Sequence, residues 1–215
     1  MPTNKPLGRI TTSDQTLFAM VEYEPADYGA TYGHGVSAAS QAANMTAINN
    51  ILTDIKASIV LATGSPVVGA TPGGCIKISG RLELDNRIQA PQLLLGSPAV
   101  LRNVPFAIRG TNGPRLSQIW CTHVDNYAIE AMNIDAQILT DPQNTNITIE
   151  DLAIGGLGGA IKMSLGGKEV HLRNLEVYGF HTGQPCCDFD AMDGLRIENV
   201  YAKLCKQDGF KFNNC

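Results

Sequence analysis

Three octets in the second half of the chain share one pattern of apolar and polar positions. They begin at Ile147, Val170 and Leu195, 23 and then 25 residues apart. In each, the first, third and sixth residues are aliphatic: Ile147, Ile149 and Leu152, then Val170, Leu172 and Leu175, then Leu195, Ile197 and Val200. The second and fourth are mainly polar or charged, and the fifth is Asp151, Asn174 or Asn199. Side chains alternate faces along a strand, so positions three and six cannot share a face unless something resets the alternation between them. An Asx residue suits that place because it tolerates the left-handed backbone of a sharp bend. The pattern predicts strand, bend and strand, repeated and stacked as in a parallel β-helix. Ile149/Leu172/Ile197 and Leu152/Leu175/Val200 then form inward columns. Glu150/Arg173/Glu198 form an outward column of alternating sign, about 4.8 Å per step.

Elsewhere the periodicity changes. From Ala38 to Ala57, Met45, Ile48, Leu52 and Ile55 recur at helical spacing, with Ser37 placed to cap the helix and Gly64 and Pro66 just beyond it. From Gly73 onward alternation returns, in Cys75–Ile78, Arg81–Leu84 and Gln92–Leu95. Residues 1–24 form an N-terminal arm with one apolar patch, Leu17 to Val21. The expected division is an arm over 1–24, a loop and capping helix over 25–72, and β-coils over 73–215. Apolar residues still alternate in Gly209–Cys215, with no polar cap after them. The expectation is that the coils continue in a longer protein or that another chain covers this end.

Sixteen Lys and Arg against 20 Asp and Glu give a net charge of −4, so the chain as a whole offers no attraction to nucleic acid or anionic lipid. No run approaches the roughly 20 apolar residues of a membrane span, and the N-terminus has no apolar signal region. Membrane insertion and secretory export are therefore not expected. The six cysteines show no CxxC spacing and read as free, mostly buried thiols, the alternative being a bridge between distant ones. No cofactor motif is present. Gly155–Gly159 lacks the strand-then-helix context of a phosphate loop, and Gly33-His34-Gly35 reads as a turn. Asn44 and Asn146 each begin a glycosylation sequon.

The candidate catalytic residues are Asp188, Asp190 and Asp193, with His181 nearby as a proton shuttle. Glycoside hydrolysis uses two carboxylates, about 5 Å apart when configuration is retained and about 6.5–9.5 Å apart when it is inverted, and alternate residues on a strand reach that range. The competing readings of these acids are a solvated loop making Asx turns and a calcium site. Lys162, Lys203, Lys206 and Lys211 with Asp208 are the cationic and acidic groups a lyase would draw on. Trp120 and Tyr127 are either sugar-stacking platforms or partly buried core.

Asp27-Tyr28-Gly29-Ala30, the Gly33–Gly35 stretch, a helix containing Ala47-Ile48, and Gly73-Gly74-Cys75-Ile76-Lys77-Ile78 together resemble the opening of the pectate-lyase-like superfamily. There a D-x-G-A turn and a capping helix precede G-G-x-V-x-x-P-x-G. The likeness spans residues 25–90, departing at Val36–Ala39 and at Ser79-Gly80. It implies an all-β, right-handed parallel β-helix, a solenoid with an N-terminal arm and one amphipathic capping helix. Members with a short polar arm and no signal peptide resemble bacteriophage tailspike and tail-fibre depolymerases. The resemblance thus implies a homotrimer in the virion, attached to the phage tail or baseplate by its arm and acting on host surface polysaccharide. The other functions considered are a non-enzymatic structural or receptor-binding tail protein, and an exported cellular polysaccharide lyase or hydrolase.

Overall fold

The computed structural model describes residues 20–63, 73–95, 100–103, 105–132, 144–164, 167–192, 194–213 and 215. In chain order the strands are β1 (Val21–Tyr23), β2 (Gly74–Ile78), β3 (Arg81–Leu84), β4 (Ile88–Gln89), β5 (Gln92–Leu95), β6 (Val100–Asn103), β7 (Phe106–Gly110) and β8 (Gln118–Cys121). They continue with β9 (Ile129–Met132), β10 (Asn144–Glu150), β11 (Ala153–Gly156), β12 (Ile161–Ser164), β13 (Gly167–Tyr178), β14 (Cys187–Asp190), β15 (Leu195–Lys203) and β16 (Phe210–Asn213). One α-helix, α1 (Ala38–Thr63), stands between β1 and β2, so the described chain is mainly β.

Two sheets carry the architecture. The first runs β1-β2-β7-β10-β13-β11-β8-β3, with β15 also on β13; the second runs β16-β14-β12-β9-β4. Every pairing within them is parallel. The chain passes alternately between them: β10 and β11 lie in the first, β12 in the second, β13 in the first, β14 in the second, β15 in the first and β16 in the second. Parallel neighbours need such long returns.

The three octets pair in the register their apolar positions predict. Ile147 is opposite Val170 and Val170 opposite Leu195, Ile149 opposite Leu172 and Leu172 opposite Ile197, and Leu175 opposite Val200. Asp151, Asn174 and Asn199 all have positive φ, at 59°, 52° and 51°. The Asn174 amide also donates to Asp151 Oδ1 at 2.7 Å, tying one corner to the next. Glu150, Arg173 and Glu198 stand in one column, extended by Arg109. Glu150 is buried, clamped between Arg109 and Arg173. Glu198 pairs with Arg196 on its own strand, so the predicted alternation holds in register while the last ion pair turns sideways.

Inward side chains of both sheets, among them Ile76, Leu82, Phe106, Ile108, Ile149, Leu172 and Phe189, form one core with α1. Met45, Ile48, Leu52 and Ile55 are buried as their spacing predicts, together with Ile51. Ser37 caps the helix by accepting from the Ser40 amide at 3.2 Å. The helix continues to Thr63, beyond the expected Ala57, because Ser58–Thr63 holds no breaker before Gly64. It presses closely on β2: a Cβ at Gly74 would lie 2.2 Å from Ile55 Cγ1. Val21–Tyr23, the end of the expected arm, pairs with Gly74–Ile76, and Tyr23 is buried.

Gln92–Leu95 is a strand but pairs antiparallel with β6, apart from the two parallel sheets. The four residues joining β5 to β6 suffice for a hairpin and are too few for a parallel crossover.

Candidate functional site

Period-two alternation along the short strands of the second sheet fixes which side chains face out. Ile129, Ile161, Cys187 and Phe210 stack in one inward column, and Ala131, Met163, Phe189 and Phe212 in the next. The outward column between them reads Gln89, Glu130, Lys162, Asp188 and Lys211. Beside it run Met132, Ser164, Asp190 and Asn213. From Glu130 onward the first of these columns alternates in sign, one residue per strand.

Several polar groups on this face are buried without a hydrogen-bond partner, which carries a penalty of roughly 1–3 kcal/mol each. They are Gln89 Nε2, Glu130 Oε2 and Asp188 Oδ1 in the column itself, and Gln184 Oε1 in the loop before β14. Arg87 balances the Glu130 charge, with Nη1 3.2 Å from Oε2. Asp188 has no such help: Lys162 Nζ lies over the Tyr127 ring, 5.8 Å from its centroid, and among the described residues no cation closes an ion pair with Asp188. Burial, and then the charge of Asp188, pushes the Tyr127 phenol well above its ordinary value, so it stays protonated and able to donate.

Asp188 and Asp190 stand on the same face of β14, two residues and hence about 6.6 Å apart at Cα. Asp193 lies outside the described residues. His181 is not brought to the pair. On the loop before β14, its Nδ1 accepts from the Gly183 amide at 3.0 Å, and its Nε2 lies 4.0 Å from Oδ1 of Asp125 on the loop before β9. Gln184 Nε2 donates to the Asp125 carbonyl at 3.2 Å, holding the same loops together.

Glu130 and Gln89 went unselected in the sequence. A signal for the column lies in four apolar–charged–apolar triplets, Ile129-Glu130-Ala131, Ile161-Lys162-Met163, Cys187-Asp188-Phe189 and Phe210-Lys211-Phe212. Their central residues are 32, 26 and 23 residues apart, too uneven to register as a repeat.

The other candidates resolve as follows. Among the described residues no three His, Cys, Asp or Glu side chains converge as a metal set. Trp120 is half-buried with Tyr178 and Phe180 against it and Arg81 4.7 Å above its ring. Lys203 is ion-paired to Glu176. Gly35 has φ +66°, and its amide donates to Glu83 Oε1 at 2.9 Å, so the Gly-His-Gly triplet is an anchored turn. Asn44 is fully buried, donating to the carbonyls of Thr31 and Glu83, so it is no glycosylation acceptor. Asn146 has no described side chain. Among the described residues no helix is long and apolar enough to cross a membrane.

Comparison of the chain with models of known families, with curated proteins and with solved structures gives no match.

Proposed function

We propose that this chain is a right-handed parallel β-helix of the phage tailspike type that binds host surface polysaccharide along the outer face of its second sheet. The alternate passage between two parallel sheets, the octet register and the Asx corners support the solenoid. The observation that carries the ligand class is the pair of buried column atoms with neither a hydrogen-bond nor an ion-pair partner, Gln89 Nε2 and Asp188 Oδ1. A polyhydroxylated chain offers donors and acceptors in turn and satisfies both kinds along the column; an apolar ligand would leave both bare. Asp188 and Asp190 are the carboxylate pair for hydrolysis. The homotrimer and the attachment of residues 1–24 to the phage tail rest on the family resemblance.

The test incubates the chain with a panel of purified bacterial capsular polysaccharides. Reducing ends should appear with at least one of them, and Asp188→Asn or Asp190→Asn should lower the rate about 100-fold or more while binding persists. A lyase would instead release unsaturated sugars that absorb in the ultraviolet. Cleavage unaffected by either variant would place the chemistry elsewhere, and failure to bind any member of the panel would remove the reading. Light scattering should return three times the 23.0 kDa chain mass; a monomer would favour an exported cellular enzyme.

A second reading, a receptor-binding tail protein without catalysis, is favoured by His181, which faces Asp125 rather than Asp188. Binding without release of any product would select it.

A further inference from the structure

Three of the six cysteines meet where the loop after β15 folds back on the start of β14. Cys186 and Cys187 are buried, and Cys205 is partly exposed. The Cys186 thiol is near enough to the thiols of Cys187 and Cys205 for each to raise its neighbour's pKa or be raised by it. The backbone holds this meeting in place: Lys206 N donates to Gly179 O at 3.1 Å, Cys186 N to Asp208 O at 2.8 Å and Cys187 N to Gly209 O at 3.0 Å. Gly179 in turn lies against Cys186, since a Cβ there would stand 3.3 Å from Cys186 Sγ. All three thiols are free.

We propose that Cys186 and Cys205 are a latent disulfide site, closed by exchange with a small-molecule disulfide such as oxidised glutathione. The partly exposed Cys205 thiolate attacks the glutathione disulfide, forming a mixed disulfide and expelling one glutathione thiolate. The Cys186 thiolate then attacks the Cys205 sulfur and expels the second. Two protein thiols are oxidised, one glutathione disulfide is reduced to two glutathiones, and the two protons pass to the departing thiolates. Cys187 is the poorer partner for Cys186, because a bridge between adjacent residues would need a strained ring. Burial, and then the neighbouring Cys186 thiol, pushes the Cys205 thiol up to about 12. Closure is therefore slow at neutral pH and faster in alkali. The bond resists reduction once made, because a high-pKa thiolate is a poor leaving group. That is the behaviour of a structural staple. It would tie the β15–β16 connection to the preceding turn of chain and restrain the edge strand β16, in an oxidising medium but not a reducing one.

The test uses the whole chain carrying Cys215→Ser, which removes the exposed thiol and leaves five. After full reduction it is incubated with oxidised glutathione at pH 8.5, then unfolded and titrated for thiols. Three should remain, peptide mass mapping should join the segments holding Cys186 and Cys205, and the melting temperature should rise on oxidation and fall back when dithiothreitol reduces the bond. Adding Cys187→Ser should preserve the link, and adding Cys205→Ser should abolish both link and shift. Five persistent thiols, a link to Cys187, or the same thermal gain in the Cys205→Ser protein would overturn the proposal.

Discussion

Gly110→Ala is expected to cost about 3 kcal/mol and to lower the melting temperature by roughly 6–12 °C in calorimetry. Gly110 ends β7, directly after Arg109, the partner of Glu150, and so holds the corner that Asp151 holds one strand later. A Cβ there would lie 1.9 Å from the Asp151 carbonyl oxygen and 2.7 Å from Ser117 Cβ. One obstacle is the backbone of the next corner and the other a Cβ, so neither can swing aside as a long side chain could. Asn at this position should fail as badly as Ala, since the obstacle is volume. A variant melting within 1 °C of the parent, a bound set by the error of the method at about 0.3 kcal/mol, would mean that the corners are not packed this closely.

Glu83→Ala should have a comparable effect by a different route, also about 3 kcal/mol. Its carboxylate, 3% exposed, accepts from Gly35 N at 2.9 Å, Val36 N at 3.1 Å and Arg81 Nε at 2.9 Å. Its backbone carbonyl accepts from the buried Asn44 amide on α1. One residue of β3 thus anchors both the loop before the helix and the helix itself. Burial alone would raise the Glu83 pKa, but the two amides and Arg81 outweigh it and hold the carboxyl below its ordinary 4.5. A depressed pKa stabilises the fold in full above the unfolded value and loses that contribution as the pH falls through the folded one. The gap between parent and Glu83→Ala, read by urea unfolding, should therefore be constant near neutrality and shrink below about pH 4.5. A gap that widened on acidification would contradict this placement of the charge.

What was legible in the sequence follows from where two constraints coincide. In the octets the apolar parity and the Asx corner both point to one register, and Ile149, Leu172 and Ile197 stack in it. In the second sheet only parity acts, over strands of two to four residues joined by segments of unequal length, so Glu130 and Lys162 gave no repeat to align. Gln92–Leu95 reads as a short strand like the others, and its antiparallel pairing comes from a connection length that periodicity does not encode. The link from Glu83 to the Gly35 turn joins residues 48 apart and has no local trace at all. Asp188 and Asp190 were found because alternate acids share a face of any strand. His181 was added for nearness in sequence, and the loop before β14 turned it toward Asp125.

The stacking of the octets underlies everything said of corners, columns and the opposite face, and nitroxide labels test it directly. Thr148, His171 and Arg196 stand opposite one another on successive strands, facing out. Cysteines placed at these sites in pairs, with Cys205 and Cys215 changed to Ser and the four buried cysteines retained, give labels about 4.8 Å apart at Cα for adjacent strands. Continuous-wave spectra of the 148/171 and 171/196 pairs should be strongly broadened against the sum of their single-label spectra, and the 148/196 pair less so. Spectra of either adjacent pair equal to that sum, or a label at residue 171 immobilised as a one-residue slip into the core would make it, would contradict the stack.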